Sequence, residues 1–311
     1  MRKSKKKIVS GVLLLIALTF LGLALREQLS LRKSQTLSDK IKEEVSYMQD
    51  APQTVRYMNA EGEILELLEV QIPNGWDKIS SENPMKRRID FDRLHEVNPD
   101  IARWLSIPGT IVEYPVMQEK TPGVYYYLWR DMEGNKNGWG SLLLPAIEDT
   151  TDMAHTIVFG HKTSRGDYAF ATLPKYNSGT YYEDNPYVYL YYPNRVERWE
   201  IWMGGNVLGT DMVYRLPYTL GSERYEDLLG WIQSKAEVGT NIAPDKNTET
   251  LVLSTCNDRF GGDQEGRYIL AAKPSLFYYY DEQLYTPGLK LEGVRAKQGA
   301  PVWRKENRDH F

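Results

Sequence analysis

The stretch Thr250-Leu251-Val252-Leu253-Ser254-Thr255-Cys256 leads an apolar run to the only cysteine of the chain. Its β-branched and aliphatic side chains predict a strand over residues 249–254, which would hold the cysteine at a strand end facing a cleft. A thiol attacks a carbonyl as the thiolate, so Cys256 would need a neighbouring base or cation. The alternative is a buried, inert cysteine, which is the commoner fate of a lone thiol.

A second run, His155-Thr156-Ile157-Val158-Phe159-Gly160-His161, ends in a histidine that follows a strand and a glycine. His155 would lie about 20 Å from His161 on an extended strand, so both cannot serve one site. The other two histidines, His95 in a charged helix and His310 in the tail, are expected to be solvated surface residues. His161 is therefore the candidate acid–base residue, and an ordinary loop histidine is the alternative.

A third segment, Gly266-Arg267-Tyr268-Ile269-Leu270, places an arginine at the start of a strand. If this strand pairs with the one before it, Arg267 lies beside Cys256. There the N–H groups of its guanidinium could donate hydrogen bonds to a substrate carbonyl and to an oxyanion. One alternative is an ordinary surface arginine. The other is Arg259, which is closer to the cysteine in sequence but less well fixed, because it falls in a loop over residues 257–262.

The N-terminus predicts a membrane anchor over residues 8–25, which form an apolar run with no charged residue. As a helix this run reaches about 27 Å, enough for a bilayer core. The basic cluster in residues 1–7 should stay cytoplasmic, which places the rest of a single-pass chain outside the cell membrane. The alternative is a cleaved signal peptide, with Gly22 and Ala24 as a poor cleavage site.

The remaining chain divides by composition into a charged stalk or linker over residues 26–88, a globular domain over 89–285 and a tail over 286–311. The pattern over residues 38–48 predicts a stalk helix. The pattern over residues 63–72 fits a strand or a helix equally. In the domain we expect short helices at 91–96 and after Asn98-Pro99-Asp100, and one long helix at 222–236 capped by Ser222. Strands are predicted at 111–117, 125–129, 140–144, 156–159, 187–192, 196–203, 207–213, 249–254 and 267–272. This pattern predicts a mostly β fold, a barrel or a sandwich.

The composition and residue spacing argue against several kinds of partner, cross-link and cofactor. The formal net charge of -4 gives no reason to expect nucleic acid as a partner. A single cysteine excludes an internal disulfide. No group of histidine, cysteine and carboxylate residues has metal-ligand spacing, so neither a metal nor another cofactor is expected.

Together the three segments resemble the sortases, the cysteine transpeptidases of Gram-positive cell surfaces. That family's pattern is a Thr-Leu-x-Thr-Cys strand, a histidine ending an earlier strand and an arginine on the strand after the cysteine; this chain has Leu253-Ser254-Thr255-Cys256, Gly160-His161 and Arg267 in that order.

The resemblance is closest to class B and covers residues 89–273. Its further marks are Asn98-Pro99-Asp100, Ile107-Pro108-Gly109-Thr110, Tyr114-Pro115-Val116, Asn185-Pro186-Tyr187 and the late helix. The long 26–88 segment, the tail and the 257–266 loop depart from that pattern and bear on substrate choice.

The resemblance implies an eight-stranded sortase barrel and a set of roles. Cys256 would attack a Thr–Gly-type bond in the C-terminal sorting signal of a surface protein or pilin, and His161 would move protons. Arg267 would position the substrate and the oxyanion, while Ser254 and Thr255 would line the groove. A peptidoglycan precursor or a pilin lysine would supply the accepting amine.

Two other functions fit the same residues. A hydrolytic cysteine peptidase would use the same cysteine and histidine, but usually needs a carboxylate or an asparagine to orient the histidine. The sequence offers no clear candidate for that third group. A non-catalytic surface module that keeps the barrel would not need the thiol of Cys256 at all.

Overall fold

The computed structural model describes residues 2–48, 54–59, 64–68, 87–147, 153–162, 168–240, 242–257 and 265–279 of the 311-residue chain. Arg259, His310 and the predicted tail over 286–311 lie outside these residues.

Twelve strands occur in the described residues, and the last eight close into a barrel. The first four are β1 Ser46–Met48, β2 Thr54–Asn59, β3 Ile64–Leu68 and β4 Arg87–Ile89. The barrel strands are β5 Ile101–Ser106, β6 Glu113–Gln118, β7 Leu142–Leu144, β8 His155–Phe159, β9 Tyr187–Tyr191, β10 Arg195–Leu208, β11 Thr250–Cys256 and β12 Gly266–Tyr279. Neighbours follow the order β10, β9, β5, β6, β7, β8, β11, β12, and β12 pairs again with β10. The predictions of a mostly β fold and an eight-stranded barrel are confirmed.

The pairings place the ends of three strands together. β11 lies between β8, with which it pairs in parallel, and β12, with which it pairs antiparallel. β6 and β7 form a second parallel pair. Outside the barrel, β2 and β3 form a hairpin whose first strand pairs with β12, and β1 pairs with β4. The sequence fitted either a strand or a helix for residues 63–72. The structure shows a strand, β3, within this segment.

β11 is buried on both faces, which explains its continuous apolar sequence. Side chains alternate between the two faces of a strand. Leu251 and Leu253 accordingly join the core cluster inside the barrel, whereas Val252 joins a second cluster beneath a helix. A strand covered on both sides reads as an unbroken apolar run rather than an alternating one.

Four α-helices accompany the strands within the described residues: α1 Arg2–Val45, α2 Phe91–Val97, α3 Gly179–Asp184 and α4 Glu223–Ser234. The long predicted helix is confirmed as α4, which lies between β10 and β11 in the chain. Its N-cap is Ser222, whose side chain accepts a hydrogen bond from the backbone N–H of Tyr225. Its apolar side chains are buried against β11 and β12 in the second cluster: Tyr225, Leu228, Leu229 and Ile232.

Two predicted elements are wrong because tertiary pairing overrides local pattern. The helix expected after Asn98-Pro99-Asp100 is β5 instead, paired with β6 on one side and β9 on the other. The spacing of Ile101, Trp104 and Leu105 suggested one helix face, but a strand covered on both faces buries the same residues. The strand expected over 125–129 is a 3-10 helix, Tyr126–Trp129.

A third correction concerns the strands predicted at 196–203 and 207–213. One strand, β10, runs through both Gly204 and Gly205 to Leu208, and a short 3-10 helix, Met212–Tyr214, follows. The two glycines do not form a turn. They lack side chains at a point where neighbouring parts of the chain approach β10 closely. A Cβ on Gly205 would lie 2.1 Å from the carbonyl oxygen of Lys235, just past α4.

Gly205→Ala is therefore expected to lower the free energy of unfolding by about 1–3 kcal/mol, because the added methyl group forces the backbone of β10 away from Lys235. The matched control is Gly230→Ala on α4, where an added Cβ meets nothing within 4 Å. Helix propensity predicts a gain there of up to about 1 kcal/mol. Chemical denaturation of the detergent-solubilised chain measures both, and a Gly205 variant as stable as the wild type would contradict the close approach.

α1 has two distinct parts. Its first part, residues 11–25, is exposed along its whole apolar length, and the helix from Gly11 to Val45 is long and apolar enough to cross a membrane, which fits a membrane anchor. Its second part packs on the domain and buries Leu31, Ile41 and Val45. The side-chain amide of Asn137 also donates a hydrogen bond to the hydroxyl of Ser34. The apolar segment and the barrel are therefore joined by one continuous helix.

Candidate active site

Cys256 is the last residue of β11 and the only exposed one on that strand. The six residues before it are buried between β8 and β12. The thiol is thus accessible, while the strand that carries it is held by β8 as far as Ser254 and by β12 through Cys256 itself. This arrangement differs from the buried, inert cysteine that the sequence left open.

Arg267 lies directly opposite Cys256 in the antiparallel register of β11 and β12. Its guanidinium donates to the Gly266 carbonyl oxygen at 3.1 Å and to a carboxylate oxygen of Glu265, also at 3.1 Å. Glu265 is two-thirds exposed. A pair this exposed contributes at most about 1 kcal/mol, so a substrate carbonyl can displace it.

His161 follows β8 by two residues, beside the end of β11. The last paired residues of the parallel ladder are Phe159 and Ser254, and the N–H of Gly160 donates to the Ser254 carbonyl oxygen at 3.1 Å. Continuing this register sets the His161 backbone next to that of Cys256, about 4.8 Å away. The structure thus brings all three predicted residues to the adjacent ends of β8, β11 and β12.

The ring of His161 is fixed by a backbone carbonyl. Its Nε2 lies 2.7 Å from the carbonyl oxygen of Leu128. A carbonyl only accepts hydrogen bonds, so Nε2 carries the hydrogen and donates it. In the neutral ring Nδ1 is then the unprotonated nitrogen, the one that can take up a proton.

The surroundings of His161 favour that neutral form. Burial lowers the pKa of His161, the hydrogen bond to Leu128 opposes the effect, and the positive charge of Arg267 lowers the pKa further. The ring of Trp129 covers His161 with its centroid at 5.2 Å. At neutral pH the imidazole is therefore uncharged and able to accept a proton.

Arg267→Gln is expected to raise the pKa of His161, because the change removes a positive charge that disfavours the imidazolium. His161 should then become protonated at a higher pH than in the wild type. Titration of the histidine ring signals by NMR measures the shift. His155 is the internal control, since burial sets its pKa; a His161 curve that stays in place would contradict the proximity of the two side chains.

His155 occupies the opposite end of β8 and has a structural role. It is fully buried, its Nδ1 lies 2.8 Å from the hydroxyl of Thr250, and its Nε2 lies 3.2 Å from the carbonyl oxygen of Val213. Burial lowers the pKa of His155 to about 4. His95, expected on the surface, is instead half-buried, with its Nε2 2.9 Å from the Ile101 carbonyl oxygen.

Comparison with known proteins shows similarity in sequence and in fold. No protein-family model matches the chain. Sortase B of Staphylococcus aureus is 25% identical over 190 residues, which cover 60% of this chain and 75% of the relative. The solved structure of Clostridium perfringens sortase B has a TM-score of 0.53 and 25% identity, covering 59% of this chain and 98% of that one. A Staphylococcus aureus sortase B–substrate complex has a TM-score of 0.52 and 22% identity, covering 60% and 84%.

In sequence and in fold the chain is therefore similar to the sortases, and to class B in particular. A sortase-type transpeptidase is therefore the kind of enzyme that its relatives support.

The wall of the candidate site includes Tyr214, a residue that sequence reasoning missed. The predicted groove residues Ser254 and Thr255 are 1% and 2% exposed, so their side chains lie beneath the surface. The hydroxyl of Ser254 is 2.8 Å from that of Tyr214, whose ring stacks on Phe159 at 5.9 Å. Burial raises the pKa of Tyr214, so it stays a neutral hydrogen-bonding group. Tyr214 follows β10 in a 3-10 helix, and no motif marks it in the sequence.

Leu128 and Trp129 were also missed as site residues. They sit in the 3-10 helix that the sequence suggested was a strand. Leu128 contributes only a backbone carbonyl, for which a sequence has no signature. Within the part of the chain that the structure describes, no group of three or more histidine, cysteine and carboxylate residues could hold a metal ion.

Proposed function

We propose that this chain is a membrane-anchored cysteine transpeptidase of the class B sortase type. The observation that carries the proposal is the strand register, which sets Arg267 opposite Cys256 and brings His161 to the neighbouring strand end. An exposed thiol, a neutral imidazole with an unprotonated Nδ1 and a fixed positive charge are what acyl transfer through a thioester requires.

The first half-reaction uses all three groups. The Cys256 thiol gives its proton to Nδ1 of His161, and the sulfur forms a bond to the carbonyl carbon of a Thr–Gly-type peptide bond. Arg267 stabilises the negative charge on the carbonyl oxygen. The C–N bond then breaks, the imidazolium returns the proton to the leaving amine, and the acyl group stays on sulfur as a thioester.

The second half-reaction reverses these roles. An acceptor amine gives a proton to His161 and attacks the thioester carbon, the C–S bond breaks, and the thiolate of Cys256 regains the proton. The sorting signal of a surface protein or pilin supplies the acyl group, and a peptidoglycan precursor or a pilin lysine supplies the amine. A substrate complex of Staphylococcus aureus sortase B has been solved, which supports substrate binding by a barrel of this kind.

We place the enzyme in the cell membrane, with its catalytic domain on the outer side. The apolar residues 8–25 would cross the bilayer once, with the basic residues 1–7 in the cytoplasm. We place the catalytic domain at 89–285, preceded by a 26–88 linker and followed by the 286–311 tail. Support for this topology comes from the exposed apolar half of α1 and from the packing of its second half on the barrel.

The test is whether the acyl group goes to an amine or to water. The detergent-solubilised chain is incubated with a panel of fluorogenic sorting peptides, with and without triglycine or a lysine peptide, and products are resolved by chromatography. We expect a ligated product whose yield grows with amine concentration at the expense of hydrolysis. Hydrolysis at the same rate at every amine concentration, with no ligated product, would instead make the chain a cysteine peptidase.

A further inference from the structure

An exposed apolar turn lies beside the site. It comprises residues 124–129, here called the aromatic turn, and includes the 3-10 helix Tyr126–Trp129. The exposed fractions are 48% for Val124, 44% for Tyr125, 45% for Tyr126 and 59% for Trp129. Four neighbouring apolar side chains this exposed indicate an interaction surface.

The aromatic turn faces the end of the apolar segment of α1. A cleft of about 710 Å³ separates them, lined by Leu23, Arg26 and Ser30 on the helix and by Tyr126 and Trp129 on the turn. The hydrogen bond between Asn137 and Ser34 closes the cleft on the domain side, one helical turn beyond Ser30. The position of the turn along α1 is therefore fixed.

That position matches the headgroup layer of a bilayer. The apolar run ends at Leu25, and the headgroup layer adds roughly 5–7 Å on each side of the hydrocarbon core. At 1.5 Å per residue this thickness corresponds to about four residues of helix, which places the layer between Arg26 and Ser30. These are the α1 residues that line the cleft. Tyrosine and tryptophan are the side chains that prefer this layer.

The charges around the cleft favour anionic headgroups. Arg26, Arg130 and Lys136 line it together with a single acid, Glu27. The guanidinium of Arg130 lies 4.2 Å above the ring of Tyr126, so a cation and an aromatic ring are presented together. A cation near an anionic membrane surface is attracted to it, so these side chains favour such a surface.

We infer that the aromatic turn seats in the anionic headgroup layer of the membrane that α1 crosses, and that this contact holds the active site at the bilayer surface. The inference rests on the membrane anchoring in the proposed function. The Trp129 ring that would contact lipid is also the ring that covers His161 at 5.2 Å. The site therefore opens next to the membrane and favours substrates that are held at that surface.

The test uses the full chain in vesicles of phosphatidylglycerol and phosphatidylcholine, with lipids brominated near the headgroup to quench tryptophan fluorescence at that depth. We expect quenching that is lost in Trp129→Phe and retained in Trp231→Phe, a matched change of a half-buried tryptophan on α4. Quenching should fall in pure phosphatidylcholine and in Lys136→Glu, which changes an exposed cation of the cleft without touching Trp129.

Equal quenching in the wild type and in Trp129→Phe would overturn the inference. So would a Trp129 signal that responds to sorting peptide in detergent but not to brominated lipid, because the turn would then bind substrate. Quenching that depends on the protein-to-lipid ratio would indicate a second copy of the chain as the occupant. Retention in vesicles after an alkaline wash tests the anchor separately, and peptide transfer in detergent tests the chemistry separately.

Discussion

Cys256→Ala is expected to abolish both peptide cleavage and amine transfer, leaving only the uncatalysed background. The sulfur atom forms the covalent bond to the substrate, and no other residue of the chain has a thiol to replace it. Since Cys256 is exposed at a strand end, removing the sulfur should change the free energy of unfolding by no more than about 0.5 kcal/mol. Peptide turnover and chemical denaturation measure the two effects independently.

The control for this result is chemical rather than mutational. Because Cys256 is the single cysteine, a thiol-alkylating probe should add one label per folded wild-type chain and none to Cys256→Ala. Labelling should abolish turnover in proportion to its extent. A Cys256→Ala chain that keeps its cell-surface function would favour the non-catalytic module over both enzyme hypotheses.

The second large effect is expected for His161→Gln, which should slow acyl transfer by about 10²–10⁴-fold, the usual contribution of a positioned acid–base group. Glutamine can still donate to the Leu128 carbonyl oxygen from its amide, but it has no basic nitrogen to replace Nδ1. The loss should therefore appear in kcat at unchanged stability. Steady-state kinetics with saturating peptide and amine measure it.

Two other histidines provide contrasting controls. His95→Gln changes a half-buried histidine of α2 and should leave turnover near the wild-type value. His155→Gln should lower the free energy of unfolding, because it disturbs a fully buried ring that is hydrogen-bonded to Thr250 and Val213. His161→Gln should instead lower kcat and leave the stability unchanged. A His161 variant that turns over at the wild-type rate would remove this residue from the mechanism.

The sequence was sufficient to propose the three candidate site residues, because each stands at the end or start of an apolar strand. It could not show how those strands pair. The parallel register of β8 and β11, which brings His161 to Cys256, depends on chain topology and leaves no local signal. The sequence analysis had to assume that the two strands pair. The structure shows that they do, in the antiparallel register that sets Arg267 opposite Cys256.

The elements that were mispredicted share a physical cause. Ile101, Trp104 and Leu105 have helical spacing, yet they lie on β5, whose two edges pair with β6 and β9 and whose side chains pack into core clusters on both faces. The aromatic residues of the 3-10 helix Tyr126–Trp129 have high strand propensity, but one backbone carbonyl there holds His161. Propensity is weak wherever a distant partner decides the conformation.

The proposed mechanism is tested most directly by trapping its intermediate. Wild-type chain is mixed with a sorting peptide in the absence of amine, quenched in acid, digested and examined by mass spectrometry. The mechanism predicts an acyl group on the peptide that contains Cys256, sensitive to hydroxylamine as a thioester, and its disappearance when amine is added before quenching. Turnover of peptide with no acyl group on Cys256, or with the group on another residue, would contradict it.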